Sequence, residues 1–319
     1  MKFGTVYQLI HRSIKKTAKL FLRGIWNLIL NKIVFTFAVI ASLYFGSVSI
    51  ALKYFLPEIV FKKIPDVASN ETSRTVVTIK ESHTLIRRYG SDLNSKCIIF
   101  FPGQHGGVLR YELEIFNKVT EKGITVYSLS YPGFEGAEGK STFRNIEETS
   151  LAAVKFINRN TSCKNSNTVY VGRSLGASVA LLVAENLKPR GILLDSVSLS
   201  LARAIRIRFK SSIYTKPLNI LPVEKIIEQD TPISNSLDKL IGIPIVIFQG
   251  KKDEKTPISD IKPILTKYTN ISLNPVANGK HENTHILAGL KYFDELTRLT
   301  DYFDIIDSIN SPHDISPPN

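Results

Sequence analysis

The sequence has 319 residues, a hydrophobic fraction of 43% and a formal net charge of +13. This length is enough for one α/β domain with a large core and appended segments. Two cysteines indicate neither a zinc site nor a disulfide framework. Seven cations lie within residues 1–32, and without them the net charge is +6. The basic balance is therefore weak evidence for nucleic-acid binding, and we expect no such partner.

The first apolar segment, Ile33–Leu52, contains twenty uncharged residues. A helix of that length crosses a bilayer core of about 30 Å. The segment lacks a good cleavage site at its end and is followed by Lys53. It predicts a transmembrane signal anchor over residues 33–52, with a buried core helix as the alternative. The excess of cations before it places residues 1–32 in the cytoplasm and the rest in the periplasm or a lumen, with the lipid bilayer as a partner.

A polar, proline-containing tether over residues 53–74 leads into a region where apolar strands and helices alternate. Two short strands, TVVTIK and HTLIRRYG, come first. Five β-type runs follow, each ended by Gly, Pro or Ser: CIIFFPG, ITVYSLSYPG, TVYVGRSLG, GILLDS and IPIVIFQG. Helices are expected between them at 109–122, 142–158, 177–187 and 258–268. This alternation predicts a mostly parallel, doubly wound α/β sheet within residues 75–305.

Residues 198–240 are too many for a simple crossover and predict a helical cap. The stretch LARAIRIRFK in this cap places four cations among apolar residues. We interpret it as a solvated helix face, with contact to phospholipid headgroups or an anionic substrate as the alternative. The polar, proline-rich residues 306–319 predict a disordered tail.

Cys97 opens the run CIIFF, and Cys163 comes just before the run TVYVGRSLG. If these two strands are neighbours, both sulfurs lie near one edge of the sheet. A compartment outside the cytoplasm would permit a disulfide. Two unpaired thiols are the favoured interpretation, and the disulfide is the alternative.

The stretch VYVGRSLGASVALL has Gly-x-Ser-x-Gly spacing between a predicted strand and a predicted helix. A serine at such a sharp turn projects its Oγ out of the sheet. Gly172 and Gly176 supply the small neighbours that this turn needs. Ser174 is therefore a candidate nucleophile, whereas the simpler interpretation is a small residue in a tight turn.

A serine nucleophile needs a histidine base and an acid at the same edge of the sheet. In VANGKHENTHI we prefer His281 as the base, because Gly279 lets the loop turn, and His285 is the alternative. In VIFQGKKDEKTP, Asp253 follows a strand end and is the preferred acid. Glu254 and Asp195 are the alternatives for the acid.

An oxyanion hole would use the backbone N–H groups of Leu175 and Gln104. His105, in the same loop as Gln104, is a possible substrate contact. The glycine-rich stretch YPGFEGAEG lacks the spacing and the Gly-Lys-Ser/Thr ending of nucleotide loops. We therefore expect no cofactor and no metal.

Four stretches together resemble the Bem46-like branch of the α/β hydrolase superfamily, membrane-anchored relatives of the ABHD serine hydrolases. They are GRSLGASVAL, YPGFEGAEG, QGKKDEKTP and GKHENTH, and the resemblance spans Thr75 to Phe303. It implies a catalytic triad of Ser174, Asp253 and His281. It also implies an eight-stranded sheet whose first strands are antiparallel, and esterase, thioesterase or lipase-type activity.

The same resemblance makes the strands that begin near Cys97 and Thr168 neighbours, which supports the disulfide. The chain departs from the family at two strand ends, where such hydrolases usually read His-Gly-Asn and His-Gly. Here these positions read Pro102, Gly103, Gln104 and Gln249, Gly250, and Glu282 separates the histidine from Asn283. Together with the anchor, the sequence predicts a membrane-bound serine hydrolase acting on lipid or acylated esters. A serine peptidase and a catalytically silent scaffold are the alternatives.

Overall fold

The computed structural model describes residues 3–56, 60–61, 65, 71–104, 107–227 and 232–310. The chain forms two units, Met1–Tyr54 and Phe55–Asn319. The first unit is one helix, Phe3–Tyr54. Its portion Lys15–Tyr54 is long and apolar enough to cross a membrane, and it includes the predicted span 33–52. The helix continues without a break through the basic segment before that span.

The second unit is built on an eight-stranded sheet. Its strands are β1 Ser73–Ile79, β2 Ser82–Tyr89, β3 Lys96–Phe101, β4 Ile124–Ser130, β5 Thr168–Arg173, β6 Gly191–Asp195, β7 Ile245–Gly250 and β8 Ile271–Val276. Their order is β1-β2-β4-β3-β5-β6-β7-β8. The pairs β1–β2 and β2–β4 are antiparallel, and all later pairs are parallel. This confirms the predicted mostly parallel sheet with antiparallel first strands.

Apolar side chains cover both faces of the central strands, because alternate residues of a strand point to opposite faces. In β3, Ile99 and Phe101 belong to the core on one face, whereas Ile98 and Phe100 belong to the core on the other. Helices then cover both faces. Their bounds are Val108–Tyr111, Asn117–Thr120, Phe143–Asn160, Leu175–Leu187, Leu201–Lys210, Val223–Ile226, Ile233–Lys239, Ile258–Leu265, Thr284–Ala288 and Leu290–Asn310.

Two helical regions differ from the sequence prediction. The helix expected over 109–122 contains a π-helical turn, Glu112–Phe116. The buried Glu112 carboxylate in that turn accepts a hydrogen bond from Tyr89 Oη at 2.7 Å. The C-terminal helix continues to Asn310, which is beyond the predicted domain end at residue 305. The remainder of the predicted tail, residues 311–319, lies outside the described residues.

Cys97 and Cys163 form a disulfide with Cα atoms 5.6 Å apart, so the favoured interpretation of two unpaired thiols is wrong. The reason is the strand order, because β3 lies directly beside β5 and Cys97 pairs in register with Thr168. Cys163 is five positions before Thr168, and both cysteines are fully buried.

Candidate active site

Ser174 occupies the sharp turn between β5 and the helix Leu175–Leu187, with φ +53° and ψ −116°. This left-handed conformation is strained for a side chain other than glycine. A Cβ at Gly172 would lie 2.6 Å from the carbonyl oxygen of Gly176, and a Cβ at Gly176 would collide with the carbonyl oxygen of Phe101. The Ser174 N–H donates to the Asp195 carbonyl oxygen at 2.9 Å. The two glycines and this hydrogen bond hold the turn in place.

Ser174, His281 and Asp253 are joined by a continuous chain of short contacts. Ser174 Oγ lies 2.9 Å from His281 Nε2. His281 Nδ1 lies 3.0 Å from Asp253 Oδ2. With Nδ1 protonated, Nε2 is free to accept the serine proton, as a general base requires. The structure thus brings together the three candidate residues, which lie after the carboxyl ends of β5, β7 and β8.

Asp253 is 3% exposed and is surrounded by donors. The backbone N–H groups of Lys255 and Thr256 donate to Oδ1 at 2.9 and 2.8 Å. Thr256 Oγ1 donates to Oδ2 at 2.6 Å. Burial raises the pKa of Asp253, but the hydrogen bonds and charge of His281 and the hydrogen bonds of Thr256 outweigh burial and leave that pKa below its usual value. Asp253 is therefore held as a carboxylate.

Gln249, which the sequence marked as a departure from the resembled hydrolases, supports Asp253 through Thr256. Its buried amide donates to Thr256 Oγ1 at 3.0 Å and also to the Thr256 carbonyl oxygen. Its Oε1 accepts from Val197 N–H at 2.9 Å. In the sequence, Gln249 stood out only as a departure from the resembled family, and no role was predicted for Thr256. A threonine three residues after an acid, which permits a local turn hydrogen bond, was the available signal.

The backbone around the predicted oxyanion donors is fixed close to Ser174. A Cβ at Gly103 would lie 3.4 Å from the Cβ of Ser174. Tyr131 Oη donates to the Pro102 carbonyl oxygen at 3.1 Å, and the Gln104 amide donates to the Val60 carbonyl oxygen. Leu175 is the first residue of its helix, so its N–H has no acceptor within the helix. His105 lies outside the described residues.

Comparison with solved structures identifies the fold. A hydrolase from Vibrio vulnificus, described as an alpha-beta hydrolase, matches with a TM-score of 0.60 and 16% identity, covering 72% of this chain and 81% of its own. The esterase Pf2001 of Pyrococcus furiosus matches with a TM-score of 0.56 and 15% identity, covering 77% and 97%. A thioesterase domain from the curacin biosynthetic pathway matches with a TM-score of 0.52 and 14% identity, covering 70% and 99%.

This chain has the α/β hydrolase fold. No protein-family model and no curated protein matches its sequence. Among the residues that the structure describes, no group of three or more His, Cys, Asp or Glu side chains could hold a metal ion.

Behind the candidate triad, the second unit contains a buried charged network. Arg173 Nε donates to Asp195 Oδ2 at 3.2 Å, and its Nη1 donates to Tyr111 Oη at 2.9 Å. Its Nη2 donates to the carbonyl oxygen of His281 at 2.5 Å. Burial lowers the pKa of Arg173, but Tyr111 and Asp195 raise it more. Arg173 therefore stays charged and restrains the backbone of the candidate base.

The alternatives named for the base and the acid belong to this network or lie at the surface. Asp195 Oδ2 lies 3.2 Å from His285 Nδ1, and His285 Nε2 lies 2.7 Å from Glu114 Oε2. His285 is 2% exposed, whereas Glu254 is exposed. Sequence reasoning missed Arg173 because the middle position of Gly-x-Ser carries no side-chain requirement in the motif.

Proposed function

We propose that this chain is a membrane-anchored serine hydrolase that cleaves carboxylic ester or thioester bonds through an acyl-enzyme. The observation that carries the proposal is the unbroken contact from Ser174 Oγ through His281 to Asp253, at 2.9 and 3.0 Å. A serine hydroxyl is a weak nucleophile at neutral pH and needs such a base. The neighbouring esterase and thioesterase structures are consistent with this activity.

In the proposed acylation step, Ser174 Oγ attacks the substrate carbonyl carbon while its proton moves to His281 Nε2. Asp253 stabilises the resulting imidazolium. The N–H groups of Leu175 and Gln104 stabilise the oxyanion of the tetrahedral intermediate, an effect worth about 3–4 kcal/mol for each donor. His281 then returns the proton to the departing alkoxide or thiolate, and the C–O or C–S bond breaks.

In the proposed deacylation step, water attacks the acyl-enzyme carbonyl carbon. His281 accepts a proton from that water, and the second tetrahedral intermediate collapses. The acyl C–O bond to Ser174 breaks, the proton returns to Ser174 Oγ, and a carboxylic acid leaves. Each group ends in its starting state, so the cycle requires no cofactor.

Because we propose that the chain is anchored in a membrane, we also propose acylated lipids or acylated proteins as its substrates. His105 is proposed to contact the substrate. We propose that residues 1–32 are cytoplasmic and that the hydrolase unit lies outside the cytoplasm, because cations precede the apolar span. The membrane-anchored, Bem46-like subtype is part of the same proposal.

The anchor is tested with a tag at the N-terminus. The tag should remain with the mature chain, and carbonate washing should leave that chain in the membrane. Loss of the tag during maturation would identify a cleaved signal sequence instead.

The catalytic proposal is tested by labelling membranes that contain the full chain with a fluorophosphonate probe. Wild type should be labelled, whereas Ser174→Ala and His281→Ala should not. Ser95→Ala is the control, because Ser95 is exposed and lies just before β3. Folded but unlabelled wild type would refute the proposal and favour a silent scaffold. A series of p-nitrophenyl esters, acyl thioesters and peptides then distinguishes esterase, thioesterase and peptidase activity.

A further inference from the structure

The insert between β6 and β7 has a charged and apolar tip, which we define as residues 208–220. It begins in the last turn of the helix Leu201–Lys210, and that helix itself begins after the carboxyl end of β6. Because β5 and β6 are parallel neighbours, that edge of the sheet is also the edge at which Ser174 lies. No Asp or Glu occurs from residue 196 to residue 223. The tip is therefore cationic, and it belongs to an insert that starts at the Ser174 edge of the sheet.

The fold uses two of the insert's cations internally. Arg203 makes a bidentate pair with Asp260 at 2.6 and 2.7 Å. Arg206 pairs with Glu224 and donates to the carbonyl oxygens of Asn219 and Leu221. The Arg206 contacts hold the insert helix against the following 3₁₀ turn, Lys216–Ile220, and the Arg203 pair holds it against the helix Ile258–Leu265. The ion pairs of Arg203 and Arg206 thus hold the insert in place, and they do not involve the other cations of the tip.

Three cations of the tip, Arg208, Lys210 and Lys216, are exposed and make no ion pair among the described residues. Three large apolar side chains accompany them: Ile213 is 80% exposed, Tyr214 is 82% exposed and Ile220 is 76% exposed. The inner face of the insert is already filled by Ala202, Ile205, Phe209 and Leu218, which are buried. The outward apolar side chains are therefore not part of its core.

We infer that the insert tip docks on an anionic lipid surface, as a second membrane contact besides the apolar N-terminal helix. Lys and Arg beside exposed aliphatic and aromatic side chains are the combination that binds a membrane interface. The cations meet lipid phosphates, Ile213 and Ile220 enter the acyl boundary, and Tyr214 lies at the level of the headgroups. This inference rests on the proposed membrane location but not on catalysis. It would bring the site edge of the sheet to the surface from which acylated lipids are taken.

The test uses the full chain in vesicles, with a fluorophore on one introduced cysteine. Both native cysteines are in the disulfide, so Ile220→Cys supplies a single thiol for an environment-sensitive dye. Ile241→Cys is the matched control, because Ile241 is 75% exposed and precedes β7, at the opposite edge of the sheet from Ser174. Vesicles contain phosphatidylcholine alone or an equal mixture with phosphatidylglycerol, with and without nitroxide-labelled lipid.

In the mixed vesicles, the dye at residue 220 should shift to shorter wavelength and be quenched by nitroxide lipid, whereas the dye at residue 241 should do neither. Replacing the three exposed cations by glutamate (Arg208→Glu, Lys210→Glu and Lys216→Glu) reverses their charge. It should lower the ratio of membrane-docked to undocked tip by roughly 100-fold or more. A salt increase should weaken docking in the same direction. The melting temperature of the reversed variant serves as the folding control, and this readout is independent of esterase activity.

Equal behaviour of residues 220 and 241 would overturn the inference. A shift at residue 220 that is the same without phosphatidylglycerol would overturn the role of the cations. A shift that depends on the protein-to-lipid ratio instead of the lipid charge would mean contact between copies of the chain, and would also overturn it.

Discussion

Replacing Arg173 with methionine tests whether the buried network supports the candidate triad. Arg173 is 7% exposed and Asp195 is 1% exposed. Methionine keeps much of the side-chain volume but removes the hydrogen bonds to Asp195, Tyr111 and the His281 carbonyl oxygen. The Asp195 carboxylate would then lie close to the Glu114–His285 pair without its cation. We therefore expect lower stability and slower labelling of Ser174.

The expected loss of stability follows from the burial of the Arg173–Asp195 ion pair. Removing one partner of a buried ion pair costs about 3–5 kcal/mol, because the other charge stays buried. For a unit of this size, 1 kcal/mol changes the melting temperature by about 2–4 °C, so Arg173→Met should lower it by roughly 10 °C. Arg203→Met is the matched control. Its pair with Asp260 has an arginine side chain that is 32% exposed, and such pairs contribute about 1 kcal/mol or less.

Thermal unfolding and probe-labelling rate are measured for Arg173→Met, Arg203→Met and the double variant Arg173→Met/Asp195→Asn. The double variant should recover part of the lost stability, because the uncompensated charge is gone, but not the labelling rate, because the His281 backbone is still released. If Arg173→Met is no less stable than Arg203→Met, the argument from burial is refuted. If Arg173→Met is destabilised but labels at the wild-type rate, Arg173 has a structural role only.

The remaining predictions concern the acid, its support and the disulfide. Asp253 has a lowered pKa, so its contribution to stability is present above the unfolded carboxyl pKa and is lost as pH falls through the folded one. Between about pH 5 and pH 2 the melting temperature should therefore fall more steeply for wild type than for Asp253→Asn. Gln249→Ala should cost about 1–3 kcal/mol and slow labelling, because Thr256 and the Val197 N–H lose their partner, and equal labelling would contradict the role of Gln249. Replacing Cys97 and Cys163 with serine opens a loop of 66 residues, which should cost about 4 kcal/mol in urea titrations. Equal urea midpoints for the serine variant and oxidised wild type would contradict that prediction.

The alternation of apolar runs was sufficient to predict the sheet, because strands buried on both faces leave a clear pattern. The position of Ser174 was predictable for a local reason, since the two glycines around it are required by backbone contacts. Asp253 and His281 were chosen by their place after strand ends. That choice needs only the rule that carboxyl ends of parallel strands share one edge.

Properties that depend on contacts between distant segments could not be predicted as well from the sequence. The disulfide required knowledge that β3 and β5 are neighbours, which periodicity within each strand does not contain. In the π-helical turn Glu112–Phe116, the buried Glu112 carboxylate accepts a hydrogen bond from Tyr89, a residue of the distant strand β2. Arg173 likewise interacts with residues from 22 to 108 positions away in the sequence. No local pattern marks such partners.

Asp195 shows why position at a strand end does not by itself identify the acid of a triad. It ends β6, at the same edge as Ser174, and its carbonyl oxygen accepts the Ser174 N–H. Its carboxylate, however, is directed to Arg173, Ser196 and His285. Arg173 in turn contacts the carbonyl oxygen of His281, not its ring. The end of β6 thus fixes the backbones of nucleophile and base, and the loop after β7 supplies the carboxylate that contacts the His281 ring.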